Sequence, residues 1–166
     1  MSPVEAQRRP LPAEADTEAL GAALARTAPW SAPQPLVVYL CGELGTGKTT
    51  LVRGLLRALG VQGTVRSPSY TLLEIYPTAA GQVLHLDLYR LRDPGEVEML
   101  GLRDELNPGA MLLIEWPERA DGALPSADLC VRLEVAGEGR VVDLKAQSAV
   151  GRDWLQELQL ADVIPS

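Results

Sequence analysis

Residues 42–49 read Gly42-Glu43-Leu44-Gly45-Thr46-Gly47-Lys48-Thr49, with Thr50 directly behind. This is a complete glycine-rich phosphate-binding loop, and its surroundings decide the fold. Upstream, Leu36-Val37-Val38-Tyr39-Leu40-Cys41 is a continuous apolar run of the kind that a buried parallel strand carries. Downstream, Leu51, Val52, Leu55, Leu56 and Leu59 recur at helical spacing, Arg53 and Arg57 take the other face, and Gly60 supplies a stop. Strand, glycine loop and helix therefore follow one another in the order that such a loop requires.

The residue types follow from the chemistry. Glycines let the backbone bend until several N–H groups point into one concavity, where the helix N-terminus adds partial positive charge, and polyphosphate binds there. The backbone from Glu43 through Leu44, Gly45, Thr46 and Gly47 to Thr50 is expected to wrap the phosphates of a nucleoside triphosphate. Lys48 would reach the β and γ phosphates, and the Thr49 hydroxyl would ligate Mg²⁺.

Composition bounds the remainder. A chain of 166 residues with 46% hydrophobic content suits a single domain with a sizeable core. That domain is expected over residues 13–166, behind a mobile Pro- and Arg-containing tail at 1–12. A formal net charge of −7 disfavours a protein that grips nucleic acid by itself. Cys41 and Cys130 both lie in apolar runs, which predicts buried free thiols and a reducing compartment. No stretch approaches about 18 consecutive apolar residues, and Met1 to Pro12 lacks the apolar centre of a signal peptide, so a cytoplasmic protein is expected.

Along the chain, Leu20, Ala23, Leu24 and Thr27 predict a helix from Thr17 to Thr27 with Asp16 or Thr17 as its cap. A proline-rich connection at 28–35 leads into the first strand. After the phosphate loop, hydroxyl-bearing Ser67 and Ser69 flank Pro68 in a segment built like a nucleotide switch. Thr71 to Tyr76 and Val83 to Leu88 predict a hairpin around Ala79-Ala80-Gly81-Gln82. Asp93-Pro94-Gly95-Glu96 carries a cap, a proline and a carboxylate at the spacing of a helix start, and Gly101 is placed to end that helix. Met111-Leu112-Leu113-Ile114 is a second buried strand, terminating in Glu115. Leu129 to Val135 and Arg140 to Ala146 read as strands around Gly137-Glu138-Gly139, and Arg152 to Leu160 as a last helix presenting Trp154, Leu155 and Leu158. The sum is an α/β fold of the P-loop NTPase kind, a mostly parallel central sheet flanked by helices with an antiparallel hairpin portion.

A phosphate loop needs an acid for the Mg²⁺ shell, and two apolar runs end in one: Asp87 and Glu115. Pattern alone does not separate them. Glu115 follows the more uniformly apolar segment, which suits a central strand, and is assigned to the metal, directly or through water. Asp87, in a mixed context typical of a hairpin at a sheet edge, is assigned to positioning or activating the attacking water.

Taken together, the phosphate loop, Ser67-Pro68-Ser69-Tyr70-Thr71-Leu72, His85-Leu86-Asp87-Leu88-Tyr89-Arg90-Leu91 and Ile114-Glu115-Trp116-Pro117-Glu118 closely resemble the TsaE (YjeE) family of bacterial threonylcarbamoyladenosine-pathway ATPases. The likeness covers roughly residues 13 to 135. It implies an ATPase that uses ATP and Mg²⁺ and acts with TsaD and TsaB in threonylcarbamoyl modification of adenosine 37, in tRNAs that read codons starting with A. TsaE does not itself move the threonylcarbamoyl group in that family, and tRNA would be reached through the complex. By position, the resemblance gives Lys48 and Thr49 to phosphate and Mg²⁺, Glu115 to the metal, Asp87 to a functional acid, and Thr17 to the surroundings of the base. One departure is visible: Ser69 stands where the family usually has Thr, keeping the hydroxyl and losing the methyl.

Other readings of the same residues stay in view. A small-molecule or nucleotide kinase also uses a phosphate loop, but no arginine-rich lid segment is visible. A nucleotide-dependent binding module is a third class. His85, the only histidine, is read as a packing or partner-contact residue. Trp116 reads equally as a cover for the nucleotide or a half-buried anchor, and Arg90 and Arg92 as surface arginines.

Overall fold

The computed structural model describes residues 5–68 and 70–163. Seven strands form one sheet: β1 (Ala6–Leu11), β2 (Leu36–Cys41), β3 (Leu73–Pro77), β4 (Gln82–Asp87), β5 (Met111–Glu115), β6 (Leu129–Ala136) and β7 (Gly139–Ala146). Their order is β1-β7-β6-β2-β5-β4-β3. The central neighbours β6, β2, β5 and β4 run parallel, and antiparallel partners close both flanks. The helices are α1 (Glu14–Thr27), α2 (Lys48–Ala58), α3 (Leu102–Glu105) and α4 (Ala149–Val163). The chain is thus the mostly parallel α/β sheet that the sequence predicts. Among the described residues, no helix is long and apolar enough to cross a membrane.

Strand alternation sorts the core into two layers. Val38 and Leu40 of β2, Leu113 of β5 and Val131 of β6 face α1, α2 and α4, where they meet Leu24, Leu51, Leu55 and Trp154. Val37, Leu84, Leu86, Leu112 and Ile114 pack on the opposite side against α3 and the short 3₁₀ helix Pro94–Leu100. Because β2 and β5 are buried on both faces, they carry apolar residues at every step rather than at alternate ones.

Helix α1 lies directly on α2. A Cβ on Gly54 would stand 2.1 Å from the Glu18 carbonyl oxygen, and one on Gly21 would stand 2.1 Å from that of Leu51. Only glycine at both places allows this approach. Arg53 then reaches Glu14 and Glu18 at 2.7 and 2.9 Å.

Several expectations change here. Residues 6–11 are not a mobile tail: they form edge strand β1, paired with β7. Arg8 sits opposite Asp143 and donates to both of its carboxylate oxygens at 2.9 and 2.7 Å. Pro10 is tolerated because an edge strand leaves one backbone side unpaired. Helix α1 starts at Glu14 rather than Thr17, and Asp16 acts from inside it, accepting the Ala13 N–H at 2.8 Å. The expected hairpin does stand at one edge of the sheet, with β3 outermost and β4 between it and β5. The 3₁₀ helix does start at Asp93-Pro94, where Glu96 accepts the Asp93 N–H at 3.1 Å, and it ends at Gly101 with φ 69°. Helix α4 extends beyond 152–160 at both ends, capped by the Ser148 hydroxyl, which accepts the Gly151 N–H. Cys41 and Cys130 are free but half-buried rather than fully buried.

Candidate functional site

At the carboxyl ends of the parallel strands lies a cleft of about 700 Å³, where open α/β sheets bind ligands. Its floor is the phosphate loop. Gly47 caps α2 with φ 105°, a left-handed conformation that suits glycine. A Cβ on Gly42 would stand 2.4 Å from the Leu133 carbonyl oxygen, so the loop is pressed against β6.

Of the residues expected to hold nucleotide, Thr17, Leu44, Gly45, Gly47, Lys48, Thr49 and Thr50 line the cleft. Glu43 and Thr46 do not line it: the buried Thr46 hydroxyl donates to the carbonyl of the exposed Glu43 at 2.9 Å, which braces the loop from within. Thr17 is buried on α1, with its methyl 3.5 Å from where a Gly47 Cβ would stand. It supports the loop and is no helix cap.

Lys48 is only 5% exposed. Its Nζ donates to the Gly42 carbonyl, lies 3.4 Å from that of Glu43, and stands 4.1 Å over the Trp116 ring. Burial pushes its pKa below the ordinary lysine value, while the nearby carboxylates of Glu115, Asp87 and Glu118 act in the opposite direction.

Parallel pairing of β4 with β5 puts Asp87 beside Glu115. The Ser67 hydroxyl joins them, donating to Asp87 Oδ2 and lying 3.3 Å from Glu115 Oε2. Asp87 Oδ1 accepts the Tyr89 N–H at 3.0 Å. Both acids are nearly buried and both border the cleft. Two carboxylates, Ser67 and the loop's Thr49 offer hard oxygen donors suited to Mg²⁺. Among the described residues, no group of three or more His, Cys, Asp or Glu side chains could hold a metal ion. One or two carboxylates completed by substrate phosphates is the arrangement Mg²⁺ takes in phosphoryl-transfer sites. Ser69 lies outside the described residues.

The cleft also uses Trp116 and Arg90, which the sequence leaves between functional and surface roles, and Arg140, which it does not single out. Trp116 adopts φ 58° and ψ 50°, rare for an aromatic residue, immediately before Pro117. That backbone turns the ring over Lys48 and against Tyr89, with centroids 5.0 Å apart. Trp116 is thus both a wall of the cleft and a half-buried anchor. Arg90 borders the cleft and stacks its guanidinium 4.8 Å from the exposed Tyr70 ring. Arg140, at the start of β7, donates to the Gly45 carbonyl at 2.9 Å and closes the far side. No sequence motif marks Arg140, since β7 and the loop meet only through the sheet.

Comparison with known proteins gives the family and the fold. A family model described as "Threonylcarbamoyl adenosine biosynthesis protein TsaE" matches residues 11–142. The tRNA threonylcarbamoyladenosine biosynthesis protein TsaE of Haemophilus influenzae is 48% identical over 118 residues, 71% of this chain and 75% of that one. Its Bacillus subtilis namesake is 34% identical over 102 residues, 61% of this chain and 63% of that one. In overall shape the chain superimposes on the crystal structure of Bacillus subtilis YdiB with a TM-score of 0.75, at 24% identity, covering 98% of this chain and 99% of YdiB.

Proposed function

Because this chain belongs to the TsaE family, whose role lies in tRNA threonylcarbamoyladenosine biosynthesis, we propose that its cleft binds ATP with Mg²⁺ and hydrolyses it slowly in support of TsaB and TsaD. The observation that carries this reading is the meeting of Lys48, Thr49, Asp87 and Glu115 in one cleft at the carboxyl ends of parallel strands.

Each residue has a task that its position supports. The loop's backbone N–H groups and the start of α2 hold the phosphates. Lys48 leaves the Gly42 carbonyl and the Trp116 ring to meet the β and γ phosphates. Thr49 and Glu115 hold the metal, Glu115 directly or through water. Bound Mg²⁺ would supply charge neutralisation on the phosphate oxygens. Asp87, fixed by Ser67 and the Tyr89 N–H, orients the attacking water. Phosphoryl transfer depends on positioning and on stabilising charge, so a site whose charge-stabilising groups are completed only by a partner turns over slowly alone. Modification of adenosine 37 would take place in the cytoplasm, with the acidic chain meeting tRNA through the complex.

The experiment is ATP hydrolysis by the purified chain with and without TsaB and TsaD, using Lys48→Ala as the blank. Partner-stimulated release of inorganic phosphate is expected. Transfer of phosphate to an acceptor would replace this reading with a kinase, and turnover unchanged in Lys48→Ala would reject the phosphate-loop assignment.

A further inference from the structure

Two residues before Asp87 on the same face of β4, His85 is completely buried. Its Nε2 lies 2.6 Å from Glu115 Oε2, and its Nδ1 is buried with no hydrogen-bond partner among the described residues. A histidine used only for packing is a poor choice here, because an apolar side chain of similar size would leave no ring nitrogen unsatisfied. The one polar contact that His85 makes is therefore the informative one.

We propose that His85 is a positioning residue that fixes the rotamer of Glu115 and directs it into the cleft; this rests on the reading of Glu115 as part of the metal shell. The two acids are restrained differently. Asp87 is short and is gripped at both oxygens, by the Tyr89 N–H and the Ser67 hydroxyl. Glu115 is one methylene longer, and both of its contacts fall on Oε2. The Ser67 hydroxyl has a single hydrogen, which it gives to Asp87, so the donor that secures Oε2 is His85. Oε1 is left for the cleft that Glu115 borders.

The same contact keeps Glu115 from closing onto the nearest cation. Lys48 faces the Gly42 carbonyl and the Trp116 ring, while Glu115 faces His85. A carboxylate paired with the loop lysine would hold both groups away from their ligands. Outer partners of this kind set ligand orientation in metal sites, and their loss weakens metal affinity by about 10–100-fold.

The test measures the Mg²⁺ dependence of fluorescent ATP-analogue binding for the full chain and for His85→Gln, His85→Asn and Glu115→Ala, with affinity in excess EDTA as the control for site integrity. Gln places an amide N–H near the position of Nε2, whereas Asn is too short. His85→Asn is expected to raise the Mg²⁺ concentration for half-maximal binding about tenfold and to leave affinity in EDTA unchanged. His85→Gln should stay near wild type, and His85→Asn should add nothing in a Glu115→Ala background. If both His85 variants keep the wild-type Mg²⁺ requirement while Glu115→Ala raises it, the positioning role is overturned and Glu115 stands. Equal losses for Gln and Asn in both EDTA and Mg²⁺ would overturn it in favour of plain packing. If Glu115→Ala leaves the Mg²⁺ requirement unchanged, the metal assignment fails and takes the His85 role with it.

Discussion

The Lys48 ammonium stands 4.1 Å over the Trp116 ring, so the loop's cation rests on an aromatic face as well as on the carbonyl of Gly42. Such a contact is worth about 0.5–2 kcal/mol. On the proposed reading Lys48 would give it up to reach a phosphate. Nucleotide binding should therefore change the Trp116 fluorescence. The other tryptophans are held elsewhere, Trp154 donating to the Leu24 carbonyl and Trp30 to that of Ala25. The change should vanish in Trp116→Phe while binding, followed by calorimetry, persists. A full signal in that variant would reject the displacement.

Ser67 donates its only hydrogen to Asp87 and sits beside Glu115. Ser67→Ala should lower Mg²⁺-dependent hydrolysis about tenfold or more by releasing Asp87, and Ser67→Thr should recover most of it. Equal activity in the Ala and Thr variants would show that the hydroxyl does not organise the acids.

Burial lowers the Lys48 pKa from its ordinary value. Below the folded-state pKa the lysine is charged in both the folded and unfolded chain, and burial costs stability. Between the lowered folded pKa and the unfolded one the unfolded chain binds more protons, so this group's contribution rises with pH and the penalty is gone above the unfolded value. On the proposed reading function runs the other way, since only a charged Lys48 would hold phosphate. The alkaline limb of kcat/KM, which reports the free protein, should fall below the ordinary lysine value of 10.5. A profile flat to that pH would contradict it.

Gly54→Ala adds a good helix former, a gain of about 1 kcal/mol. It also drives a Cβ to 2.1 Å from a backbone oxygen of α1. Backbone cannot rotate aside as a side chain can, so overpacking at about 1–3 kcal/mol or more should win. The thermal midpoint should drop by several degrees, at about 2–4 °C per kcal/mol for a domain of this size. A raised midpoint would mean that α1 moves freely on α2.

What could be read in the chain, and what could not, divides along physical lines. Leu36 to Cys41, the loop and Leu51 to Leu59 carry their signals locally, in runs, glycines and helical spacing, so the central βα unit was legible. The same holds for Leu129, Val131 and Leu133, which alternate and are all buried. Strand β1 was not legible, because Gln7, Arg8, Arg9 and Pro10 have no apolar alternation; their order comes from β7 across the sheet. The acids at 87 and 115 were visible as ends of apolar runs, but their pairing arises from β4–β5 register. That register also brings His85 diagonally to Glu115, a lateral relation that spacing along one chain does not encode. The turn of Trp116 over Lys48 rests on a backbone conformation that its side chain disfavours, and only the tertiary context holds it there.

Pairing β1 with β7 joins the first described strand to the last. The wall of the cleft that begins at Leu11 and continues into α1 is anchored on one side by α2 and on the other by a strand near the far end of the described residues, a pairing of high sequence separation that forms slowly. A molecule in which the glycine-rich loop, α1 and α2 have formed can thus still lack the β1 end of that wall. If the cleft holds nucleotide as proposed, binding there and the β1–β7 pairing should stabilise one another.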